Sequence, residues 1–224
     1  MSKQIDNWYF ELNTLMEDGT SLYQDDQYHG RDIDQQKNVI YLRPVVAWSP
    51  TDEFTVSAGM ESNVINNAYG YTNNQGQFID QSGRTGYGLT MTWNGLKNDP
   101  DNGVVINANT AYLDADNEQD FTAGANVLWK RFELGYIYAH NKIDDYAGVV
   151  CDNDCWIDDE GTYDIHTFHA SYQFANVMNM QNFNIYLGAY YSILDSDGDD
   201  NNGTGSDDRY GARVRFKYFF ELLS

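Results

Sequence analysis

The stretch Phe121-Thr122-Ala123-Gly124-Ala125-Asn126-Val127-Leu128-Trp129-Lys130-Arg131-Phe132-Glu133-Leu134-Gly135-Tyr136-Ile137-Tyr138 decides the fold class. Phe121, Ala123, Ala125, Val127 and Trp129 alternate with Thr122, Gly124 and Asn126. After Lys130-Arg131 the alternation resumes, with Phe132, Leu134, Tyr136 and Tyr138 against Glu133 and Gly135. Period two places alternate side chains on opposite faces of a β-strand, and a two-residue break between such runs reads as a hairpin.

The same period recurs along the chain. Trp8, Phe10 and Leu12 form one apolar face, and Ile40, Leu42, Pro44, Val46 and Trp48 the next. Further runs follow at Phe54–Met60, Tyr87–Trp93, Val104–Tyr112, Phe168–Phe174, Phe183–Tyr191 and Tyr210–Phe220. This predicts about ten strands, each long enough to cross a bilayer when tilted. The opposite face is rich in Gly, Thr, Ser and Asn, small polar residues suited to a narrow lumen. Trp48, Trp93, Trp129 and Phe174 each close a strand before a short connection, and Phe54, Phe132 and Phe183 each open the next. Aromatics gathered at one end of every hairpin are expected at a bilayer interface. The connections at the other end are mostly longer, and Tyr69–Asp80 reads as a hairpin extending there. The predicted fold is all-β: a transmembrane antiparallel up-and-down β-barrel of about ten strands, with twelve as the alternative. It forms one domain over 1–224.

Composition narrows the function. Lys plus Arg is 13 and Asp plus Glu is 34, giving a formal charge of −21, which opposes nucleic-acid binding. Aromatics reach 15 %, too many for a disordered acidic chain. No apolar run is long enough for a membrane helix. The start, Met1-Ser2-Lys3-Gln4, shows no signal-peptide core, so the chain reads as cytoplasmic or as a mature secreted form carrying an initiator Met. Cys151-Asp152-Asn153-Asp154-Cys155 favours the second reading if Cys151 and Cys155 form a disulfide; free thiols are the alternative.

Most of the acid falls in the predicted longer loops, as a cation-attracting or simply solvated rim. Asp195, Asp197 and Asp199 alternate as in a calcium loop, but the glycine comes early and the twelfth position is Ser206. A polar loop without metal is the expectation. By strand phase the lumen-facing, pore-lining candidates are Glu11, Tyr41, Arg43, Glu61, Glu133, His169, Arg213, Arg215 and Lys217. Closure of the last strand on the first would bring Arg213 and Arg215 near Glu11, with Arg43 beside Glu11 and Glu61. Such charges either pair and fill the lumen or set a transverse field across an open one. Tyr9, Tyr41, Tyr186 and Tyr190 share that face and offer stacking surfaces for sugar rings.

No catalytic or cofactor motif appears. His169 and Ser171 are spaced as in some outer-membrane lipid hydrolases, but their phase points them into the lumen. His29, His140 and His166 lie near the acidic rim without a defined motif.

Val214, Phe216, Tyr218 and Phe220 alternate as in the C-terminal targeting signal of bacterial outer-membrane proteins, followed here by Glu221-Leu222-Leu223-Ser224. The whole chain resembles small monomeric porins. Asp6-Asn7-Trp8-Tyr9-Phe10 looks like the first strand of the outer-membrane porin G type. Asp52–Met60 and the overall size are similar to the oligogalacturonate-specific porin family. The resemblance implies passive uptake of sugars or oligosaccharides through a Gram-negative outer membrane. The expectation is therefore a monomeric diffusion channel for small hydrophilic solutes, not an enzyme, in contact with lipid and lipopolysaccharide. The alternative is a non-conducting barrel whose acidic loops bind a ligand, host surface or phage.

Overall fold

The computed structural model describes residues 1–17, 27–28, 31–32, 34–35, 39–67, 69–72, 78–80, 82–115, 118–143, 161–180, 182–196 and 206–218. Its main element is one 11-stranded sheet. The strands are β1 (Ser2–Ile5), β2 (Trp8–Glu17), β3 (Val39–Trp48), β4 (Phe54–Asn63), β5 (Thr85–Asn94) and β6 (Val104–Ala115). They continue as β7 (Glu118–Trp129), β8 (Phe132–Ile143), β9 (Gly161–Phe174), β10 (Phe183–Ser196) and β11 (Ser206–Tyr218). Each strand pairs antiparallel with its sequence neighbours, an up-and-down meander without crossovers. No helix among the described residues is long and apolar enough to cross a membrane.

Ten of these strands are those the alternation predicts. The eleventh, β1, carries no alternation and folds back on β2 through the two-residue turn Asp6-Asn7, with Asp6 at φ 48°. Its ladder runs from Ser2 opposite Glu11 to Ile5 opposite Trp8, and Met1 and Leu12 exchange backbone bonds of 2.9 and 2.8 Å. This strand adds to the ten expected ones. The edge of β2 on which the last strand was to close carries β1, and β11 pairs only with β10 among the described strands.

The aromatic belt is a feature of the register. Trp8 lies opposite Trp48, with ring centroids 5.7 Å apart. Trp93 lies opposite Phe54 and Trp129 opposite Phe132. Phe132 meets Tyr172 at 4.7 Å, and Phe183 meets Tyr218 at 6.2 Å. All of these sit at the end of the short turns. The Lys130-Arg131 turn has Lys130 at φ 56°, and its ammonium lies 5.0 Å from the Trp129 ring centre, a cation–π contact. In the Ser49–Glu53 turn a hydrogen bond from the Thr51 side chain, helped by the Glu53 backbone N–H, Asn98 and Lys97, holds the Glu53 carboxyl below the usual range.

At the opposite end, Tyr69–Thr72 pairs with Phe78–Asp80, the expected extending hairpin, and Asp34–Gln35 adds a third strand. Asn63 anchors this region. Its side-chain amide donates to Ile65 O at 2.6 Å and Ser82 O at 2.8 Å, and its Oδ1 accepts from Ile40 N and Ile65 N. Asn63 is buried at 7 % exposure and Ser82 at 0 %. A small apolar cluster of Ile143, Tyr163 and Leu194 packs at the same end of β8, β9 and β10.

Asn63→Ala removes these four hydrogen bonds, the one to Ser82 O being buried. The expected cost is roughly 1–3 kcal/mol, read as a lower urea midpoint for the protein folded in detergent. An unchanged midpoint would contradict the anchoring role.

Candidate functional site

Because every pairing in the sheet is antiparallel, side chains in register stand in rows across one face. One row of the polar face runs Val45, Gly59, Gly88, Ala111 and Thr122 across β3 to β7. The neighbouring row runs Glu61, Gly86, Leu113 and Asp120 across β4 to β7. Together they form a trough of about 430 Å³ with Arg43 and Glu61 at one side and Asp120 at the other. Three strand spacings of about 4.8 Å put Glu61 and Asp120 roughly 14 Å apart across the sheet. Space fills the trough, not side chains: a Cβ added at Gly88 would meet nothing within 4 Å, and at Gly59 and Gly86 only ordinary contacts.

The Arg43 guanidinium and the Glu61 carboxylate form an ion pair, their side chains 42 and 44 % exposed. Pro44 lacks an N–H, and the β3–β4 ladder skips from Leu42 to Val45 at that point. Glu11 is not part of this pair. Tyr9 donates to it, and so does Asn13 at 2.5 Å.

The other half of the polar face is filled. Glu133 accepts from Asn126 Nδ2 at 2.6 Å and from Ser171 Oγ at 3.0 Å, with His169 Nε2 at 3.7 Å. The His169 ring lies in the notch at Gly135, where a Cβ would come within 2.1 Å of it. The Tyr190 ring lies over Gly211 in the same way, at 2.6 Å. Asn107 accepts from Thr92 at 3.0 Å, and Asn109 leans over Gly124. Ser171 donates to Glu133 and makes no bond to His169, so the pair lacks the geometry of a base-activated nucleophile.

The predicted basic residues Arg213, Arg215 and Lys217 lie on β11, opposite Gly188, Tyr186 and Asn184. Among the described residues neither Arg213 nor Arg215 has an ionic partner, and neither is in contact with Glu11. Tyr41 lies opposite Asn63 at the upper end of the same face. Asp195 falls on β10, opposite Asp164 and Ser206. Asp197, Asp199, Cys151 and Cys155 lie outside the described residues.

Asp120 is a trough-lining position that lies outside the apolar alternation opening at Phe121. The pairing of Glu118–Asp120 with Leu113–Ala115 extends the hairpin and turns Asp120 into the trough. The same extension lets Arg84 Nη2 reach Glu118 Oε2 at 3.2 Å. Continued alternation of Gln119 and Phe121 against Asp120 and Thr122 was the available signal.

A family model described as porin-like glycoporin RafY matches residues 1–220. No curated protein matches the chain.

The two kinds of glycine predict opposite outcomes. Gly135→Ala displaces His169 from Glu133 and should cost about 1–3 kcal/mol of stability, whereas Gly88→Ala should be neutral within about 0.5 kcal/mol. Denaturant midpoints of the two variants in one detergent check this. Equal costs would refute the division of the face.

Proposed function

The chain belongs to the porin-like glycoporin RafY family and is a porin-type outer-membrane protein, and from that premise we propose that it is a monomeric channel for passive diffusion of small sugars or oligosaccharides across a Gram-negative outer membrane. The observation that carries this reading is the glycine-floored trough between Arg43–Glu61 and Asp120. A sugar ring presents hydroxyls at its rim, which suits carboxylate acceptors and a guanidinium donor on facing walls. Glycines at Gly59, Gly86 and Gly88 let the ring approach the backbone. The Arg43 and Glu61 side chains are partly exposed, so a passing hydroxyl can reach the pair, as a conducting site requires. The filled half opposite, around Glu133 and His169, narrows the path and stiffens the wall.

Conduction requires the sheet to close. We propose that β11 pairs antiparallel with β2, its natural partner in a ten-strand meander, with β1 giving way at that edge. An even strand number and a closed ladder leave no backbone group unpaired in lipid. The apolar face then contacts lipid and lipopolysaccharide.

Planar-bilayer recording and swelling of sugar-loaded liposomes test the channel. Stepwise conductance is expected, with cation preference rising in Arg43→Ala and falling in Glu61→Gln. Gly88→Trp should slow disaccharide-driven swelling severalfold by filling the trough. Absence of conductance and swelling from a folded protein would instead favour the non-conducting, loop-binding alternative.

Closure has a separate measurement. In a Cys151→Ser, Cys155→Ser background, cysteines walked along β11 should cross-link to Asn13→Cys on β2. Cross-linking only to Lys3→Cys on β1 would reject this route of closure.

A further inference from the structure

The apolar face contains a polar cluster that a lipid-facing wall does not need. Tyr136, Tyr138 and His140 on β8 share the phase of Phe132 and Leu134, and Asp164 and His166 on β9 share that of Phe168. Tyr138 donates to Asp164 Oδ1 at 2.5 Å, and His140 Nδ1 lies 2.9 Å from the same oxygen. Tyr136 Oη lies 2.7 Å from His166 Nδ1. Both partners of Asp164 use Oδ1, so Oδ2 stays open among the described residues. A His140 that donates from Nδ1 presents Nε2 outward as an acceptor. A His166 that accepts from Tyr136 presents Nε2–H outward as a donor. Ionisable groups on a membrane-facing surface are costly and mark function.

A depression lies directly beside this cluster. Two adjacent cross-strand rows read large, small, small, large: Leu89, Thr110, Ala123 and Tyr138, then Met91, Ala108, Ala125 and Tyr136. The four small residues floor a hollow of about 520 Å³ between β5 and β8. The row below, from Trp93 to Leu134 through Ile106 and Val127, is large throughout and closes the hollow toward the aromatic belt. His140 and Asp164 stand one level above Tyr138, toward the longer connections.

We propose that this wall binds one glycolipid, with an acyl chain in the hollow and a hydroxyl-bearing sugar headgroup on Asp164, His140 and His166. The inference rests on the reading of the apolar face as membrane-facing. The outward atoms are two acceptors and one donor, a set that matches sugar hydroxyls. A phosphate headgroup would meet the Asp164 carboxylate and be repelled. The rings of Tyr136, Tyr138 and Phe121, the last two 6.4 Å apart at centroid, offer faces and edges to sugar C–H groups. Headgroup above chain, with the hollow below the cluster, is the order a lipid of the leaflet at the long-connection side would have.

The test is native mass spectrometry of the full chain in a zwitterionic detergent, titrated with a diacyl monohexosyl lipid or with phosphatidylglycerol of the same chains. One glycolipid should bind, about tenfold tighter than phosphatidylglycerol. Asp164→Leu and Ala125→Leu, which removes the acceptor and fills the hollow respectively, should each abolish that preference. Heat-dependent gel mobility checks folding, and either variant alone suffices if the other does not fold. Equal binding of the two lipids, no adduct, or folded variants that bind as the parent does would overturn the proposal. Conductance measured on the same preparation separates the readings. A conducting protein without glycolipid preference rejects this site alone, whereas one that neither inserts nor shifts in mobility rejects the membrane-facing reading itself.

Discussion

Register parity is the constraint on which everything else in this protein depends. Across the long ladders from β2 to β11, outward-phase residues pair with outward-phase residues and inward with inward. A slip of one residue in any hairpin would move Glu61 or Glu133 to the apolar face and Trp93 or Phe132 to the polar one. The short turns hold the parity. Asp6 and Lys130 adopt left-handed backbone so that two-residue connections can reverse the chain without splaying it. In hydrocarbon the same ladders also satisfy every backbone group they pair, which a membrane-spanning sheet must do.

With parity held, glycine does two unlike jobs on the polar face. At Gly135 and Gly211 it makes room for a ring from the next strand, so His169 and Tyr190 lie flat against backbone and the wall thickens. At Gly59, Gly86 and Gly88 nothing fills the room, and the wall is low. One side of the face is thus a packed hydrogen-bonded surface around Glu133, and the other an open trough bounded by charge. A composition rich in small residues does not distinguish the two, because the distinction lies in which side chain stands in register with each glycine.

Legibility followed sequence distance. Alternation within a run is local, so the ten long strands, the aromatic belt and the Arg43–Glu61 face could be read directly. The Tyr69–Asp80 hairpin was readable from its turn residues. β1 was not, because Ser2–Ile5 is short, lacks alternation, and takes strand form only through pairing with β2. Asp120 precedes the apolar alternation that opens at Phe121, and only the ladder with β6 carries the strand three residues further. The Glu133 network was hidden for a different reason. Asn126 and Ser171 reach Glu133 from β7 and β9, and Ser171 is 38 residues away in the chain.

The sequence by itself determined the all-β class, the face each side chain takes and the porin-type character, because these follow from a two-residue period and from aromatics placed at one end of each run. Only the tertiary structure decided which inward residues meet. Cross-strand register joins Arg43 to Glu61 and Glu133 to Ser171, leaves Glu11 with its own neighbours, and sets a cluster of Tyr, His and Asp beside a hollow on the apolar wall. The physical reason is that alternation specifies direction from a strand locally, whereas neighbours across a ladder depend on the relative shift of strands far apart in sequence.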